Sequence, residues 1–206
     1  IGIMRRITRR AAVAAGLLAT LTLTQPAAAQ TTETSPVQDP ENTLVIETKN
    51  GEIRVELMPD VAPQHVERVK TLARQGAYDN VVFHRVIEGF MAQTGDVAYG
   101  DREDGYTPRR VGTGGSDMPD LPAEFSDVPF DRGVMGMARA QDPNSANSQF
   151  FIMLDDGHFL NGQYTALGRV AEGMEHVDAI KKGDRARNGV VEDPDAMLSV
   201  GILADR

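Results

Sequence analysis

Residues 83–96 read FHRVIEGFMAQTGD, and residues 148–154 read SQFFIML. The second stretch alternates, with Gln149, Phe151 and Met153 on one face of a strand and Phe150, Ile152 and Leu154 on the other. Large apolar side chains on both faces mean that both are covered, which predicts a strand in a curved or layered sheet and not a half-solvated ribbon. With Phe150 and Ile152 directed into an interior, Gln149 and Phe151 fall on its outer wall, where Met91 and Gln93, also two positions apart, can meet them. The first stretch sets Arg85 inside an apolar β-type run. A charged group there needs polar partners.

Outward from these stretches, short β-type runs alternate with two helical ones. Residues 43–48 and 52–58 flank Lys49-Asn50-Gly51, and Asn-Gly is a strong hairpin signal. Pro63 opens a helix whose apolar positions Val66, Val69, Leu72 and Ala73 share one face, with Gly76 as its C-terminal cap. Further strands are predicted at 81–87, 90–93, 133–138, 149–154 and 164–170, and a last apolar patch at 196–203 can close the sheet. A second helix over about 173–182 turns Met174, Val177 and Ile180 inward and stops at Gly183. Many short strands with two helices predict a mainly β barrel or sandwich capped by helices. The segment 96–127 has no sustained period and is rich in Gly, Asp and Pro, so it reads as a long loop that shapes a surface.

The N-terminal part differs in kind. Arg5, Arg6, Arg9 and Arg10 precede an apolar run at 11–23, and Ala27 and Ala29 give a small-x-small pattern before Gln30. The run is short for a bilayer span, so residues 1–29 are expected to be a cleaved signal peptide, with an uncleaved anchor as the alternative. Export to the periplasm of a Gram-negative cell follows, or alternatively secretion, with no stable membrane insertion after processing. Residues 30–42, QTTETSPVQDPEN, are expected to be a disordered linker, and 43–206 one folded domain.

Several functions drop out. The formal charge of -9 falls to -13 once the four leader arginines leave, which disfavours nucleic acid as a partner. Without cysteine there is no disulfide framework, thiolate metal site or cysteine nucleophile. His65, His84, His158 and His176 are scattered, so neither metal nor other cofactor is expected. No serine lies in a G-x-S-x-G setting, and no carboxylate pair stands out for glycoside cleavage. VGTGGSD at 111–117 lacks the strand before and the helix after that a phosphate cradle needs, and reads as turn chemistry.

FHRVIEGFMAQTGD, taken with GVMGMARA at 133–140 and NSANSQFFIML at 144–154, resembles the signature of the cyclophilin family of peptidyl-prolyl cis/trans isomerases, over about residues 43–203. The resemblance implies a closed, eight-stranded antiparallel barrel with a helix over each end and a groove on its outside. It puts the catalytic arginine at Arg85, the proline pocket at Phe90, Met91, Phe151 and Leu160, and peptide-binding glutamines at Gln93 and Gln149. The backbone at Ala138 and Arg139 would hold the substrate chain, and His84 would pack beside Arg85. Phe159 stands where many members carry tryptophan, so weak cyclosporin binding is expected; Tyr164 replaces a histidine, Arg139 an asparagine and Thr94 a glycine. The implied partners are proline-containing polypeptides, and the chain is expected to be a monomer. A peptide-holding module without catalysis and an interaction protein with a vestigial groove remain as other readings of the same residues.

The chemistry can be derived from the residue types. A prolyl amide rotates slowly because resonance imposes a barrier of roughly 18–20 kcal/mol. In the twisted state the nitrogen regains its lone pair and accepts a hydrogen bond, so a fixed donor favours that state over both planar isomers. No covalent bond breaks and no general base is needed.

Overall fold

The computed structural model describes residues 39–206. The expected signal peptide and most of the expected linker lie outside the described residues. Residues 39–42, read as linker, belong to the folded part: the Asp39 carboxylate caps a 3-10 turn at Pro40–Asn42, and Glu41 and Asn42 both accept from Lys70 Nζ.

β1 (Thr43–Thr48) and β2 (Gly51–Leu57) form the first hairpin. The turn is Lys49-Asn50, one residue earlier than Asn-Gly implies, because Thr48 Oγ1 accepts the Asn50 N–H and donates to the Gly51 carbonyl. Gly51 serves the strand instead: its φ is +139°, and a Cβ there would lie 2.4 Å from the His176 ring.

α1 (Pro63–Arg74) turns Val66, Val69, Leu72 and Ala73 into the core, as its period predicts. β3 (Arg85–Ile87), β4 (Met91–Thr94), β5 (Val134–Met137), β6 (Phe150–Met153) and β7 (Ala166–Glu172) follow, then α2 (Met174–Asp178) and β8 (Ser199–Ile202). The strands form one antiparallel sheet in the order β3-β4-β6-β5-β7-β2-β1-β8, with α1 packed on β8 and α2 on β2.

The sheet is not one closed ladder. β3 and β8 are its ends, and the gap is bridged by the segments that precede them: Asn80 N–H donates to the Met197 carbonyl (2.7 Å), Met197 N–H to Val81 (2.9 Å) and Phe83 N–H to Asp195 (2.8 Å). The expected strand 81–87 is therefore shorter, and the apolar patch 196–203 closes the sheet with a strand only over Ser199–Ile202, since the first residues of both make these single bridges. α2 also ends early, because Lys181 N–H is drawn to Asp195 (2.9 Å) and Gly183 N–H to the Val86 carbonyl (2.8 Å).

β6 divides the apolar residues as its alternation predicts. Phe150, Ile152 and Leu154 join the interior with Phe83, Met135 and Val86, whereas Phe151 and Met153 join Met91, Phe130 and Leu160 in a second cluster on the outer wall. No helix among the described residues is long and apolar enough to cross a membrane.

Candidate active site

The site is built on the β3–β4–β6 face, where Arg85 lies opposite Gln93, Gln93 opposite Phe151, and Met91 opposite Met153. Arg85, Phe90, Met91, Gln93, Ala138, Arg139, Phe151, Leu160 and Tyr164 line one cavity of about 110 Å³. Phe151 forms its floor. That ring stacks on Phe130 (5.9 Å) and meets Tyr164 edge-on (5.9 Å). Gly136 lies directly across the sheet, where a Cβ would come within 2.4 Å of the Phe151 ring.

A directed hydrogen-bond chain runs along the rim. Arg85 Nη1 donates to Gln93 Oε1 (3.2 Å), Gln93 Nε2 to Gln149 Oε1 (3.1 Å), and Gln149 Nε2 to the Gly114 carbonyl (2.8 Å). On its other side Arg85 is bracketed by one residue, with Nε donating to the Asn188 carbonyl (3.0 Å) and Nη2 to Asn188 Oδ1 (2.9 Å). A guanidinium has five N–H donors. Three are engaged among the described residues, which leaves one on each terminal nitrogen. Burial lowers the Arg85 pKa and the nearby Tyr164 opposes this, but the group stays cationic at any physiological pH.

The other expected site residues sort by position. Gln149, with Gly114, Ala138 and Arg139, lines an adjoining cavity of about 370 Å³. Arg139 is pinned by the Gln163 carbonyl, and its guanidinium carbon stands 4.4 Å from the centre of the Tyr164 ring. Phe159 lies outside the cup, 66% exposed, with its ring 5.4 Å from Phe90. His84 is buried and faces away, into a third cavity of about 450 Å³; burial pushes its pKa down to about 4, against the pull of Asp96. Its Nδ1 has no hydrogen-bond partner among the described residues.

Two supports went unread in the sequence. Asn188 takes φ +56°, and Asn188-Gly189 is a turn signal that could have marked it. VGTGGSD does cradle an anion, but one of the chain's own: the buried Asp96 carboxylate accepts N–H bonds from Ala98 (3.1 Å), Tyr99 (3.0 Å), Gly112 (2.7 Å) and Gly114 (3.0 Å). That nest fixes the Gly114 carbonyl on which the rim chain ends. The one group with metal-ligand proximity among the described residues, Asp131, Asp156 and His158, is a surface cluster in which His158 Nε2 already bonds Asp131 (2.7 Å).

Residues 43–202 match the family model described as cyclophilin-type peptidyl-prolyl cis-trans isomerase/CLD. The chain belongs to the cyclophilins. It is 60% identical over 173 residues to a probable peptidyl-prolyl cis-trans isomerase of Brucella suis, covering 84% of this chain and 88% of that one. Among solved structures it is similar to the cyclophilin AquaCyp293 from Hirschia baltica, with TM-score 0.68 and 28% identity over 82% of this chain and 76% of that one. It is also similar to a cyclophilin-type isomerase of Cryptosporidium parvum determined in the presence of the dipeptide Ala-Pro, with TM-score 0.66 and 26% identity over 78% of this chain and 98% of that one. The activity of this cyclophilin is therefore peptidyl-prolyl cis-trans isomerisation.

Proposed function

We propose that this cyclophilin speeds rotation of X-Pro bonds in exported polypeptides, with Arg85 donating to the prolyl nitrogen as the amide twists. The observation that carries the reading is the pair of unengaged Arg85 N–H groups at the mouth of an apolar cup, on a guanidinium held from both sides by Gln93 and Asn188. A donor fixed beforehand need not reorganise when the lone pair appears. Accelerating rotation by about five powers of ten requires about 7 kcal/mol of preferential stabilisation, and one charge-assisted hydrogen bond supplies about 1.5–3 kcal/mol. The rest is assigned to the cup of Phe90, Met91, Phe151 and Leu160, which grips the ring while Gln93 and the Ala138–Arg139 backbone hold the chain.

A protease-coupled proline-peptide assay tests this. Arg85→Ala should lower kcat/KM by roughly tenfold to a hundredfold, the loss of one such bond; equal acceleration by wild type and variant overturns the role given to Arg85.

The leader pattern supports a periplasmic location, with secretion as the alternative, and clients whose folding waits on proline isomerisation. Mass spectrometry of the mature protein should find Gln30 at the N-terminus. The protein is taken to act as a monomer and to bind cyclosporin weakly. Phe159→Trp should tighten cyclosporin binding, read by calorimetric titration; unchanged affinity removes the role given to this position.

A further inference from the structure

We propose that the cavity beside Arg85, between residues 106–113 and 187–193, is a second substrate subsite that takes a bulky apolar side chain next to the proline of the same peptide. This rests on the isomerase reading above and adds a substrate preference to it. Arg85 and Gln93 line both this cavity and the proline cup, so a peptide with its ring in the cup passes straight into it. With a volume of about 450 Å³ it is larger than the cup, with room for a large side chain.

Both walls are preformed. On one side residues 189–191 run along β3: Val86 N–H donates to the Gly189 carbonyl (2.8 Å), Val190 bridges to Arg85, and Val191 N–H donates to the His84 carbonyl (3.2 Å). On the other, Gly112 N–H is held by Asp96 (2.7 Å) and Val111 N–H by the Thr107 carbonyl (2.9 Å).

The chemistry of the walls selects the occupant. Charges at the rim are already matched, Arg187 with Glu192 and Asp193 with Arg102. The apolar part of the lining is Tyr106, Pro108, Val111 and Val190, and Val190 is 41% exposed for a β-branched apolar residue. Such a surface gains by covering with an apolar or aromatic side chain, and the one unpaired charge beside it among the described residues, Arg85, is the donor that the isomerase reading commits to the prolyl nitrogen.

The test is a peptide series in which the residue before or after proline is Gly, Phe or Glu, assayed with wild type, Tyr106→Ala and Val190→Asp. Wild type should favour Phe over Gly and Glu on one side of the proline, and both variants should cut the Phe-to-Gly ratio of kcat/KM, by about tenfold for Val190→Asp. Because the chain has no tryptophan, Tyr106→Trp introduces a sole indole reporter, whose emission should shift to the blue with the Phe peptide and not with the Gly peptide. Acceleration of all peptides with a ratio unmoved by the variants, or an indole signal indifferent to the flanking residue, overturns the subsite alone. A wild type that accelerates no peptide overturns the isomerase reading and the subsite with it.

Discussion

Asn188 holds Arg85 with a carbonyl and an amide oxygen while its own backbone sits in the left-handed region, so its side chain can be removed without straining the turn by substituting glycine. Asn188→Gly should lower kcat/KM about fivefold, the effect of one ~1 kcal/mol hydrogen bond, with thermal stability little changed. The site also contains no group that titrates near neutrality in a required role. Arg85 stays charged and His84 is held neutral down to about 4. The isomerase rate should therefore be flat from about pH 5.5 to 9, whereas an inflection near the ordinary imidazole value of about 6.5 would give His84 a direct role. The alternation of β6 was legible in the sequence because it is a local pattern, and Arg85 and Gln93 were picked out through the resemblance that the contiguous motif at 83–96 carries. Asn188 was not: it lies far along the chain from Arg85, and only the pairing of residues 189–191 with β3 brings the two together.

Among the elements, α1 has no capping side chain of its own, since Ala62 occupies the N-cap. Glu124 supplies the cap from the long loop, accepting from the backbone of Gln64 (3.2 Å) and His65 (3.1 Å) and lying 2.6 Å from His65 Nδ1. Burial pushes the Glu124 pKa up, but the bonds from His65 and the two backbone N–H groups outweigh it and hold the carboxyl below its usual range. A carboxyl with a lowered folded pKa adds stability above its unfolded value of about 4.3 and loses it as pH falls through the folded value. Glu124→Gln should therefore melt at a lower temperature than wild type at pH 7, and the difference should shrink as the pH drops below about 4; a gap that stays constant with pH would mean the charge plays no part. The helix period and the first hairpin could be read from sequence because they are local. The true length of α2 and the nest around Asp96 could not, because tertiary hydrogen bonds from residues distant in sequence decide them.

For the molecule as a whole, the sheet order joins β1 to β8, and the bridges between 80–83 and 195–197 cover what would otherwise be two open edges. The barrel-like character was readable from the many short strands, but this incomplete closure was not, since a single bridge leaves no periodic trace. Whether Arg85 acts on the twisting amide and not on binding is decided by exchange NMR of a proline peptide at saturating concentration with wild type and Arg85→Ala. Both proteins should bind the peptide, and cis/trans exchange on the variant should be slower by about tenfold or more; exchange at the wild-type rate on the variant would show that the guanidinium takes no part in the rotation.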